Sequence, residues 1–268
     1  MREHYFKERG LYYKANQPVP GRPTLLFIHG LSGSSSAWIP YEKKFKQNYN
    51  VVSLDLRGHG KSAKKNRLKE YELAKFSEDI YLLINHLKLS NLVLIGHSFG
   101  TLIVQDFLLR YPNLAQATIL LSPNFNVNKQ LLARALKYAL KIFFFMEWLP
   151  LSLPQGKHID YSRYLHTGDW NLGRTFADVR NTSLRVYYYC TRQSYEFNTE
   201  QLLPSLQLPA LLLHGKKDSI FPATNSLEMV KMMKNAELVM LEEADHILVL
   251  NYFTEVSLAM EKFLRRAL

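Results

Sequence analysis

The 268-residue sequence has a single cysteine, Cys190. An intrachain disulfide is excluded, as is a structural zinc site built from thiolates, and this usage suits a reducing compartment. The first ten residues, MREHYFKERG, lack the apolar run of a secretory leader, so a cytoplasmic protein is expected. No HxH or HExxH spacing points to a metal. A nucleotide loop is missing too: the stretch DLRGHGKS ends like one, but Asp55 stands where G-x-x-x-x-G-K-[ST] requires glycine. No internal repeat or low-complexity linker divides the chain.

What the sequence has in excess is positive charge, 34 Lys and Arg against 23 Asp and Glu, a net +11. Such a balance raises three partners: nucleic acid, an anionic membrane surface, or acidic substrates. The basic residues are scattered and no nucleic-acid module is visible, so nucleic acid is set aside. Nothing in the sequence sets an oligomeric state. A hydrophobic fraction of 47% is ample for a core, and the length suits one α/β domain carrying a large insertion.

Residues 4 to 16, aromatic around an Arg-Gly turn, read as an opening hairpin. Strand-like apolar runs then follow at 24–30, 50–56, 91–97, 117–123, 209–215 and 236–242. Between them lie WIPYEKKFKQ, LAKFSEDIYLLINHLK, TLIVQDFLLRYP and NSLEMVKMMKN, each with apolar residues at helical spacing. Near-continuous apolar strands separated by helices imply a mostly parallel sheet covered on both faces. The rhythm breaks from Asn124 to Pro204. The expected organisation is a core of residues 1–123 and 205–268, with a helical cap at 124–204 lying over the carboxyl end of the sheet.

The motif GHSFG, Gly96 to Gly100, falls where the strand NLVLIGH turns into a helix. Glycines on either side remove side chains that would collide in a sharp reversal, leaving the Ser98 hydroxyl exposed above a helix N-terminus. Such a hydroxyl needs a base to take its proton and an acid to fix the tautomer of the base. Asp218 follows the strand PALLLHG, and His246 follows AELVMLE 28 residues later, room for one helix and one strand. Acid and base are thus expected on neighbouring strand ends, facing the serine. Glu242, Glu243 and Asp245 are rival acids, but adjacency to His246 aims them poorly. His29, His59, His97 and His214 read as structural or loop residues.

With His29-Gly30, the DLRGHGKS loop, the GHSFG elbow and the order Ser98, Asp218, His246, the chain resembles a capped, serine-dependent α/β-hydrolase of the carboxylesterase and lipase kind. The likeness departs at Thr101 and Asp245, where glycine is common. It implies an α/β-hydrolase fold with a helical cap insertion, and a catalytic triad of Ser98, Asp218 and His246. It also implies an oxyanion hole from the backbone N–H groups of Leu31 and Phe99, and Asp55 and Arg57 bracing the rim. No cofactor and no metal are implied.

Inside the expected cap, residues 129–149 carry Gln130, Arg134, Lys137 and Lys141 at helical spacing among leucines and aromatics. A lid helix on the core and an interfacial helix drawn to anionic lipid both fit this pattern. The cluster around Phe144 and Trp148 is expected to line an acyl pocket. Over 124–203 ten Lys and Arg stand against six acids, which disfavours a cationic ligand. The expected activity is hydrolysis of carboxylic esters with small to medium apolar acyl groups, monoacylglycerol among them. Carbon-carbon bond hydrolysis and acyl transfer use the same triad, and a ligand receptor with residual hydrolase activity is the rival from another class.

Overall fold

The computed structural model describes residues 1–127 and 154–268. Its centre is an eight-stranded sheet in the order β1-β2-β4-β3-β5-β6-β7-β8. The strands are β1 (Arg2–Phe6), β2 (Leu11–Ala15), β3 (Thr24–Ile28), β4 (Asn50–Leu54), β5 (Leu92–His97), β6 (Ala115–Leu121), β7 (Ala210–Gly215) and β8 (Ala236–Leu241). Strands β1 and β2 form the expected hairpin, turning through Gly10 at φ 69°, and β2 pairs antiparallel with β4. From β4 through β8 all neighbours are parallel.

Why the sheet is buried on both sides follows from the side-chain period of two. Leu26, Ile28, Leu94, Leu120 and Leu212 point to one face. Helices α2 (Leu73–Leu87) and α3 (Phe99–Arg110) cover it through Phe76, Ile80, Leu102 and Phe107. The intervening residues Leu25, Phe27, Val93, Ile95, Ile119 and Leu211 point the other way. They meet Tyr41 and Phe45 of α1 (Ile39–Phe45) and Val256, Met260 and Phe263 of α8 (Phe253–Ala267). The α8 positions recur at helical spacing. Helix α8 is an element beyond those anticipated from the sequence.

Between β6 and β7 the described chain carries α4 (Leu172–Thr182) and α5 (Leu184–Glu196), after a short helical turn at Tyr161–Tyr164. Asn171 caps α4 by accepting from the Arg174 N–H at 2.8 Å. This segment is tied to loops that follow the carboxyl ends of the strands. His158 bonds Asp55 at 2.8 Å, Thr182 Oγ1 donates to Ser32 O at 3.1 Å, and Lys64 Nζ donates to Asn181 O at 2.7 Å. Helices α6 (Thr224–Met232) and α7 (Leu248–Asn251) complete the described helices. Among the described residues no helix is long and apolar enough to cross a membrane. The stretch 129–149, with Phe144 and Trp148, lies outside the described residues.

Candidate active site

Strand β5 delivers Ser98 to the N-terminus of α3 with φ 51° and ψ −119°, a conformation that costs a non-glycine residue about 1–3 kcal/mol. The reversal is possible because its flanks are glycine. A Cβ on Gly96 would come within 2.8 Å of Gly100 O, and one on Gly100 within 2.5 Å of Ile28 O. Thr101, in place of a third glycine, donates its hydroxyl to Ser98 O at 2.6 Å and so braces the turn. A strained residue held by close packing at a strand end is the usual sign of a positioned functional group.

Two loops converge on that serine. His246, after β8, places Nε2 at 2.7 Å from Ser98 Oγ and Nδ1 at 2.8 Å from Asp218 Oδ2. Asp218, after β7, accepts the N–H groups of Ile220 and Phe221 on Oδ1 at 2.9 and 2.8 Å. The tautomer consistent with this chain has Nδ1–H donating to Asp218 and Nε2 accepting the serine hydroxyl. Burial alone would raise the Asp218 carboxyl, but hydrogen bonds with His214 and His246 hold it well below the usual carboxylate range. It is therefore an anion fixed behind the imidazole.

The rival acids are occupied elsewhere. Glu242 pairs with Lys216 at 2.7 Å and Glu243 with Lys217. Asp245 turns back to accept the Ile247 N–H at 3.0 Å. Asp55 and Arg57 sit in the framework: Asp55 accepts the N–H groups of Ser35 and Lys61 at 2.7 Å each, and Arg57 grips Asp79 at 2.6 and 2.7 Å.

Four residues enter the site that sequence reasoning passed over or read as framework. His214 lies 3.1 Å from the same Asp218 oxygen that serves His246, with its other nitrogen 2.6 Å from Ser226 Oγ. His97 donates Nε2–H to His246 O at 2.9 Å, and burial pushes its imidazole down to about 3, so it stays neutral. Asp169, from the segment between β6 and β7, accepts the His246 N–H at 2.7 Å on one oxygen. Its other oxygen accepts the Ser219 N–H at 2.9 Å and hydroxyl at 2.6 Å. One carboxylate thus clamps the loops of both base and acid. Arg174 is bonded through Nη2 to Asp169 O at 2.6 Å.

Ser98 and His246 open into a cavity of about 220 Å³. Leu31, Trp38, Val179, Ile220 and Leu250 supply apolar wall, while Arg174 and Asp178 supply charge. Gly30 brings its backbone against the serine, since a Cβ there would lie 3.2 Å from Ser98 Cβ. The N–H of Leu31 follows directly. That of Phe99 is an orphan donor of the first turn of α3.

Asp178 accepts the Tyr161 hydroxyl at 2.9 Å, and burial pushes its carboxyl up to about 7 against the opposing effects of that bond and of Arg174. Its folded value lies above the ordinary one of 3.8, so the native state holds a proton that the unfolded chain has released between pH 4 and 7. The contribution of Asp178 to stability is therefore expected to fall as pH rises through that window, by on the order of 4 kcal/mol at full titration. Asp178→Asn is expected to flatten this decline and to raise Tm above wild type at pH 8. Parallel pH profiles of Tm for the two proteins would refute the assignment.

Human epoxide hydrolase 4 (Homo sapiens) is 29% identical to the chain over 246 residues, covering 84% of this chain and 68% of that protein. MGS-M2, an alpha/beta hydrolase enzyme from a Medee basin deep-sea metagenome library, superposes with a TM-score of 0.74 at 17% identity, covering 98% of this chain and 97% of its own. An epoxide hydrolase of Bacillus megaterium gives 0.71 at 21% identity over 96% of this chain and 98% of its own. The two superpositions speak for the fold. The family defined by the alpha/beta hydrolase fold matches residues 23–251, which span most of the sheet, the Ser98 elbow and the loops of Asp218 and His246, and this chain belongs to it.

Proposed function

We propose that the protein is a serine hydrolase that cleaves small carboxylic esters through an acyl-enzyme. The observation carrying this reading is the hydrogen-bonded relay from Ser98 Oγ through His246 to Asp218, at 2.7 and 2.8 Å. Ser98 Oγ attacks the ester carbonyl as its proton passes to His246 Nε2. The oxyanion takes the N–H groups of Leu31 and Phe99. His246 returns the proton to the leaving alcohol, and water attacks the acyl carbon by the same route. Asp218 stays ionised and keeps the imidazole in the working tautomer.

The residue type at the elbow favours acyl chemistry over opening of an epoxide. Attack of a serine oxygen on an epoxide carbon yields an ether, which has no carbonyl for water to attack. Attack on an ester yields a serine ester, which water releases. A cavity of about 220 Å³ suits a small substrate, so turnover of p-nitrophenyl esters is expected to peak at short to medium acyl chains. Complete inactivity across that series, with no fluorophosphonate label on Ser98, would overturn the reading.

Asp169 is expected to act through His246 and Ser219. Asp169→Ala should lower kcat by roughly 10- to 100-fold with little change in KM, because it frees the two loops by fractions of an ångström. A kcat within twofold of wild type would show that packing alone fixes those loops.

A further inference from the structure

Arg174 is a buried cation that the fold leaves incompletely paired. It is 5% exposed, and among the described residues no carboxylate oxygen lies within 4.0 Å of it. Its Nη2 donates to Asp169 O at 2.6 Å, whereas its Nη1 has no hydrogen-bond partner. A buried guanidinium keeps its charge, and an unmet N–H in an apolar wall carries the full cost of its desolvation. Two other residues that line the same cavity also carry a buried polar atom without a partner, Trp38 at Nε1 and Ser32 at Oγ. Two of these three groups are donors only. Polar groups left unpaired together, in the cavity that holds Ser98 and His246, call for an acceptor that a ligand would bring.

Which ligand it brings follows from charge and place. Asp169 has both carboxylate oxygens engaged, with the His246 N–H and with Ser219. Asp178 receives the Tyr161 hydroxyl and, held up to about 7 by burial, is half protonated near neutral pH. Neither cancels the Arg174 charge at contact. The guanidinium is also tied to the reaction centre by hydrogen bonds. Asn171 caps its backbone, and Asp169 links its Nη2 to the His246 loop through a single residue. Its charge reaches His97, the neighbour of Ser98 in sequence.

Resting on the serine-esterase reading above, we infer that the substrate is a short ester bearing a carboxylate, and that Arg174 binds that carboxylate while Ser98 attacks the ester carbonyl. A planar carboxylate matches the guanidinium, whose Nη1 is without a partner. The net positive charge of the chain favours approach of such an anion. A purely apolar ester would leave the Arg174 donor unmet.

Monoethyl glutarate and ethyl valerate have the same ester and the same chain length, and differ in the terminal carboxylate. With turnover followed by pH-stat, the wild-type protein should prefer monoethyl glutarate in kcat/KM. Arg174→Gln should lower kcat/KM for monoethyl glutarate about 100-fold more than for ethyl valerate, and Arg174→Lys should fall between. A wild-type preference for ethyl valerate, or equal losses for the two esters in Arg174→Gln, would overturn the inference. Calorimetric titration of monoethyl glutarate into the Ser98→Ala protein reads the same site without turnover. Binding that vanishes when Arg174→Gln is added supports the carboxylate site even if neither ester is hydrolysed, and that second result would count against the esterase reading alone. Binding indifferent to Arg174→Gln would sink the carboxylate site.

Discussion

Ser98→Ala is expected to remove ester hydrolysis, lowering kcat by about 10⁴- to 10⁶-fold, while Tm moves by no more than a few degrees. The size of the effect follows from the role of one atom. Oγ lies 2.7 Å from His246 Nε2 and is the nucleophile of the relay; the turn itself is built by Gly96, Gly100 and the Thr101 hydroxyl, which the substitution leaves in place. Activity that remains measures what the oxyanion donors and binding do without a nucleophile. Fluorophosphonate labelling should disappear with the hydroxyl. Persistent labelling with persistent turnover would assign the nucleophile to a different serine.

Asp218→Asn comes next in size, a loss of about 10³- to 10⁴-fold in kcat. The new side chain can keep its Oδ1 bonds to the N–H groups of Ile220 and Phe221, which leaves its amide nitrogen facing His246 Nδ1. That nitrogen is a donor. The imidazole must then accept at Nδ1 and carry its proton on Nε2, where it meets Ser98 as a donor and cannot take the serine proton. Asp245→Asn is the control, because Asp245 serves the Ile247 N–H and Asn251 rather than the imidazole. The pH profile of kcat/KM separates the two variants. If Asp245→Asn is the more damaging, the acid has been misassigned.

The parts of this protein legible in its sequence are those whose signals are local. The apolar runs at 24–30, 91–97 and 209–215 are short and alternate with helical patterns, as strands buried on both faces should, and β3, β5 and β7 within them lie in the parallel part of the sheet. The GHSFG turn announced itself through glycines whose absent side chains make room for the reversal within five residues. The apolar runs at 24–30 and 50–56 take in two residues of the loops beyond β3 and β4, His29-Gly30 and Asp55-Leu56, and β6 begins two residues before the run at 117–123 and ends two before it, because strand ends are set by pairing with neighbours rather than by composition. Helix α8 went unread although its apolar positions recur at helical spacing.

The chain order of Ser98, Asp218 and His246 places each after a strand, and a parallel sheet brings such strand ends together, so the sequence by itself determined the fold class and these three candidate residues. Tertiary structure alone decided what surrounds them. Asp169 meets His246 across 77 residues, His158 meets Asp55 across 103, and Thr182 meets Ser32 across 150. No periodicity or turn signal encodes contacts at such separations. They arise when the segment after β6 is laid over the strand ends, and its docking, rather than any motif, gave Arg174 a buried place with Nη1 unmet and gave Asp169 the backbone of two loops to hold. His214 shows the same division. Its position at the end of β7 was plain in the sequence, but its contact with the carboxylate of Asp218 exists only because the loop after β7 folds that side chain back over the strand end.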